Sequence, residues 1–106
     1  MSNEENEDIY ILLRIKELLD EAYNSDDRAL FLADYASASV LISGLEARNA
    51  RDDPEFDGYL AEKLSNLKWH FSAMLGLMIT NKHPKSQHYL WAIQAIDSAK
   101  SRYQGA

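Results

Sequence analysis

A chain of 106 residues, 46% hydrophobic and 26% charged, is sized for one domain with one core, and it is too apolar for a disordered tail. Its net charge of -6 excludes a general binder of duplex nucleic acid, which needs a basic surface against phosphate. The lack of cysteine excludes disulfides, a thiol nucleophile and thiolate metal sites, and fits a reducing compartment.

The opening MSNEENEDIY is acidic where a signal peptide is basic and then apolar. No apolar run approaches the roughly 20 residues that cross a bilayer, so a cytoplasmic protein with no membrane role is expected. Four glycines, two prolines and apolar residues recurring every three or four positions predict helix almost throughout and no strand.

The first helix is predicted over residues 5–23, with Glu4, Glu5, Glu7 and Asp8 near the positive end of its dipole and Leu12, Ile15, Leu19 and Ala22 as its stripe. The segment NSDDR carries capping residues, and Ser25 or Asn24 is the expected N-cap of a second helix over 26–48. Along that helix Ala33, Ala36, Ser37, Val40, Ser43, Gly44 and Ala47 make a strip of small residues. Such a strip admits a close neighbour, so the helix is expected either at the centre of the fold or against a second copy of the chain.

After RNARDDPEFDG, a third helix is predicted over 54–80. Leu60, Leu64, Leu67, Phe71, Met74 and Met78 step alternately by four and three, the period of coiled-coil-like packing. Asn81 and Pro84 are the expected stop. A fourth helix is predicted over 86–103, capped by Ser86, with Tyr89, Ile93, Ile96 and Tyr103 inward. Four helices joined by short turns pack most simply as antiparallel neighbours, giving an all-α, single-domain four-helix bundle over residues 1–106.

Charge divides the chain. Residues 1–62 hold 16 acids and 5 bases, a balance of -11, whereas residues 63–106 hold 1 acid and 6 bases, a balance of +5. Read linearly, the second half resembles an anion binder, with Lys82, Lys85, His88, Trp91 and Arg102 offering charge, donors and stacking surface to a nucleotide-like small molecule. An antiparallel bundle, however, returns Arg102 to the pole of the acidic first and third helix starts, and returns Lys82 and Lys85 to the pole of Asp20, Glu21, Asp26 and Asp27. Most of these charges also follow the dipole rule, acids at starts and bases at ends. The segment NKHPKSQHYLW therefore reads first as a helix stop, a turn and a helix start.

Neither a metal site nor a cofactor is expected, because His70, His83 and His88 show no ligand spacing of an H-E-x-x-H or Glu-x-x-His kind. No catalytic motif is present: there is no phosphate loop, no nucleophile elbow and no activated serine. Asp34 interrupts an apolar run and is expected to be partly buried, hydrogen-bonded to a tyrosine or histidine of another helix. Large side chains exceed what one small core needs, and Tyr35, Trp69, Leu77 and Tyr89 are the expected interface residues. The expectation is a non-enzymatic protein that binds a protein partner, as an inhibitor or accessory module, and associates with itself. The competing expectation is sequestration of an anionic small molecule between subunits.

Overall fold

The computed structural model describes residues 3–51, 54–76 and 83–105. Within them lie four helices, α1 (Asn3–Asn24), α2 (Arg28–Arg51), α3 (Gly58–Met74) and α4 (Lys85–Tyr103), and no strand. Each helix packs against its neighbours in sequence, and α4 closes the ring onto α1. The bundle is 40 Å in its longest dimension, close to the ~36 Å that a 24-residue helix spans.

The core follows the stripes. Leu12, Ile15, Leu19 and Ala22 of α1 face Ala38, Ile42 and Leu45 of α2, the α3 seam from Leu60 to Met74, and Ala92, Ile96 and Ala99 of α4, all buried. The α3–α4 pair is the most closely packed. The reason is visible on α4, where Ala92, Ala95 and Ala99 form a buried ridge of methyl groups that lets the two backbones approach.

Small residues on α2 do the opposite of what a central helix would require. Ala33, Ala36, Ser37, Val40, Ser43, Gly44 and Ala47 are all exposed, so α2 is not the centre of the fold and its strip faces outward. The helix turns this way because its other face holds the larger groups, Phe31, Tyr35, Leu41, Ile42 and Leu45, which remove more apolar area from water. By length and composition α2 is also apolar enough to cross a membrane, with only 22% of the apolar window buried in the bundle.

Several boundaries differ from the sequence expectation, and α2 runs to Arg51 where an end at 48 is expected. The cap of α2 is Asp27, whose Oδ1 accepts from the backbone N–H groups of Ala29 and Leu30 at 2.9 and 3.3 Å, while Ser25 only accepts from Asp27 N–H. Asp27 wins because it places a charged acceptor at the dipole's positive end. Helix α3 starts at Gly58, capped by Asp57, and it ends at Met74 instead of continuing to 80. Gly76 adopts φ +75, a left-handed conformation that glycine enters without a Cβ clash and that terminates a helix. The Arg28 guanidinium donates to the freed Leu75 carbonyl at 2.9 Å, tying the start of α2 to the end of α3. Leu77, Met78, Asn81 and Lys82 lie outside the described residues. Helix α4 has Pro84 at its N-cap and no side-chain cap, so Ser86 does not serve as one.

The two poles mix charge as the bundle topology requires. Arg102 pairs with Asp57 and Arg48 pairs with Asp8, the first pair holding the Asp57 carboxyl below its ordinary value. Asn49 clamps the α2–α3 connection by donating to the Asp57 carbonyl and accepting from the Asp57 N–H, at 2.9 and 3.0 Å. At the other pole, Lys85 lies over the Tyr23 and Phe31 rings, 5.2 and 4.7 Å from their centroids.

Asp34 is buried, as expected, but its neighbour is a second acid. Burial first, and then the Glu21 carboxyl beside it, raise its pKa, with Arg14 offsetting part of the effect. Its Oδ2 is buried without a hydrogen-bond partner. An acid whose folded pKa is raised costs stability above that pKa, and the cost fades as pH falls toward the ordinary value of 3.8. Asp34→Asn is therefore expected to stabilise the protein at neutral pH, by roughly 0.5–1.5 kcal/mol. A thermal midpoint lower than wild type would contradict this account.

Candidate functional site

Two regions stand out from the structural packing: an aromatic and histidine cluster between α3 and α4, and the outer face of α2.

The cluster gathers all three histidines and both tryptophans of the chain. His70 and His88 meet through their Nδ1 atoms at 3.1 Å. Trp69 lies edge-on to both, with centroids 5.0 and 5.5 Å away. Trp91 approaches His70, His83 and His88 at 5.1, 4.9 and 5.4 Å. The antiparallel α3–α4 hairpin produces this, because His70 is four residues before the end of α3 and His88 three after the start of α4. Pro84 then turns His83 back over the pair, with its ring 5.8 Å from His88.

The Nδ1–Nδ1 contact fixes the proton chemistry. One ring must donate N–H and the other must accept with a lone pair, so the two imidazoles are opposite tautomers. A hydrogen on both Nδ1 atoms would set two N–H groups against each other. Burial and the neighbouring imidazoles hold His70 below the usual 6.5, and burial with His83 nearby does the same for His88. Beside the cluster runs a groove of about 190 Å³, lined by Lys63, Asn66, His70, Trp91, Gln94 and Ser98. That is smaller than the roughly 300 Å³ at which pockets for drug-sized ligands begin. Among the described residues, no group of three or more histidine or acidic side chains is arranged to hold a metal ion.

Of the five residues with anion-binding character, the four described ones do not converge on one site. His88 is fully buried against His70, and Lys85 is placed over Tyr23 and Phe31. Arg102 is engaged with Asp57, seventeen residues along α4 from Lys85, or about 26 Å. Only His88 and Trp91 are neighbours, and Lys82 lies outside the described residues.

Of the four expected interface residues, the three described ones also separate. Tyr35 packs on Phe71 at 5.6 Å. Tyr89 stacks on Tyr23 at 4.1 Å and donates its hydroxyl to Asp20 at 2.6 Å, a bond that together with burial pushes its pKa up to about 12. Both belong to the bundle's own packing. Trp69 is 42% exposed and Leu77 is outside the described residues.

The outer face of α2 is the second region, reached from α3 at its edge, where Lys68 Nζ donates to the Ser43 hydroxyl at 3.4 Å. Ala29, Ala33, Ala36, Val40, Ser43 and Ala47 step by four, three, four, three and four, with Leu32, Ser37 and Gly44 at the margins, and none is charged. Val40 is 72% exposed and Leu32 43%. At Gly44 an added Cβ would meet nothing within 4 Å. An alternating four-three repeat is the pattern by which one helix seats another, and here it is presented to solvent.

No protein-family model matches the chain, and no curated protein and no solved structure is detectably similar to it.

Proposed function

We propose that the protein acts by binding another protein surface, as an inhibitor or accessory module, and that the outer face of α2 makes the contact. The observation that carries this reading is the uncharged heptad-spaced face from Ala29 to Ala47 with Val40 and Leu32 exposed on it. A soluble helix ordinarily presents charge to water on the side away from its core. The groups with chemical potential elsewhere are occupied in holding helices together: His70 with His88, Asp20 with Tyr89, and Asp57 with Arg102. The mode of action is coverage, in which a preformed helical surface occludes or bridges its target at little conformational cost.

Val40→Glu tests this directly. At a site this exposed the substitution is expected to change stability by no more than ~0.5 kcal/mol, while placing a charge in the middle of the contact. Tagged wild-type and Val40→Glu proteins serve as baits in an extract of the native host, with copies of the chain itself counted among the captured proteins. Proteins held by the first and lost by the second support the reading. The same set on both baits ends it.

A further inference from the structure

Resting on that reading, we infer that the occupant of the α2 outer face is a second copy of the same chain, paired antiparallel about a two-fold axis that passes between Ala36 and Val40. In a two-fold interface, residue i meets residue j and residue j meets residue i, so a usable face must match itself when its direction is reversed. The six seam positions do so: reversing α2 about position 38 exchanges Ala29 with Ala47, Ala33 with Ser43 and Ala36 with Val40. Every such exchange sets a small side chain against a small or medium one, which permits close approach along the whole seam. Leu32 of each copy falls beside Ser43 of the other, where the Lys68 side chain of α3 also reaches, its Nζ donating to the Ser43 hydroxyl at 3.4 Å.

Charge at the ends selects the antiparallel direction. Asp26 and Asp27 precede α2, and Arg48 and Arg51 close it. Reversal brings the end of one copy that carries Asp26 and Asp27 to the height of the end of the other that carries Arg48 and Arg51. The meeting occurs twice by symmetry, once at each end of the seam. A parallel arrangement instead gathers the aspartates at one end and the arginines at the other, and like charges at close range oppose association. The contact face is roughly 28 Å long and one helix wide. That is less than the ~800 Å² per partner of tight complexes, so a dimer that dissociates on dilution is expected.

Sedimentation of the purified full chain over a concentration series tests the occupant. Wild type is expected to approach twice the monomer mass, and Val40→Glu to stay monomeric with an unchanged circular dichroism spectrum. The absence of native cysteine makes single-cysteine pairs decisive for direction. Under mild oxidation, a mixture of Ala29→Cys and Ala47→Cys chains should give a mixed disulfide dimer, while each variant alone should not. Homodimeric disulfides from each variant alone would overturn the antiparallel pairing. A wild type that remains monomeric, whether free or floating with phosphatidylcholine vesicles, would overturn the second copy altogether. If Val40→Glu still loses captured proteins in that case, the binding reading stands without self-association. If it loses none, both fall.

Discussion

Acidification from about pH 7.5 to about pH 5 is expected to destabilise the protein through the His70–His88 pair, by at most about 1.4 kcal/mol per pH unit for each histidine kept neutral. Both folded-state pKa values lie below the usual 6.5, which the unfolded chain retains. Above that value neither state binds a proton at these rings, and stability is independent of pH on their account. As pH falls through it, the unfolded chain takes up protons that the folded cluster refuses, and stability is lost until the folded values are reached. Among the described residues, the rings face each other, His83, Trp69 and Trp91, and the adjoining groove contributes the cation Lys63. Asp34 acts with the opposite sign, gaining stability as pH falls toward 3.8. The histidine contribution is isolated by comparing chemical denaturation of wild type with the His70→Gln, His88→Phe double variant across the range. The double variant should show a flatter profile below about pH 6.5. An equal slope in both proteins would remove the pair as its source.

Much of the fold was legible because it depends on spacing alone. The α3 seam from Leu60 to Met74 and the α1 stripe from Leu12 to Ala22 are buried as their periodicity predicts. The misreadings came where two physical terms compete. Gly76 lies in a continuous apolar period, and periodicity concealed the left-handed stop that only its backbone freedom reveals. On α2, both faces are apolar, so hydropathy could not say which one turns inward; the comparison of side-chain volume, Phe31, Tyr35 and Leu41 against Ala33, Ala36 and Gly44, decides it. The histidine cluster was accessible in principle. Once α3 and α4 are taken as an antiparallel hairpin, residues equidistant from the turn must meet, and His70 with His88 satisfies that condition. Metal-ligand spacing was the wrong filter, because it searches along one helix while these rings meet across two. Nor could charge count along the chain reveal that Arg102 and Lys85 are spent at opposite poles, since that follows only from closing the bundle.

Phe71→Ala is expected to be the most damaging single truncation in the chain, costing about 3–5 kcal/mol. Phe71 is the largest fully buried side chain among the described residues, it lies in the last turn of the α3 seam, and Tyr35 of α2 leans on its ring at 5.6 Å. Against a total stability of about 5–15 kcal/mol for a small domain, that loss consumes much of the margin and should lower the thermal midpoint by about 12 °C or more. Phe56→Ala provides the contrast: its ring is half exposed, and its removal should cost less than ~1 kcal/mol. The functional consequence runs through Tyr35. Loosening its support lets α2 shift against α1 and α3, and a face that pairs by alternating steps of three and four residues tolerates little displacement. Phe71→Ala should therefore weaken self-association below its own melting temperature, where the chain is still folded, even though residue 71 is on another helix and touches no partner. Sedimentation at low temperature beside a denaturant titration measures both effects. A variant that loses less than about 1 kcal/mol would mean that α3 does not pack as the seam requires, and a destabilised but fully dimeric variant would mean that the outer face of α2 is not held in place by the core beneath it.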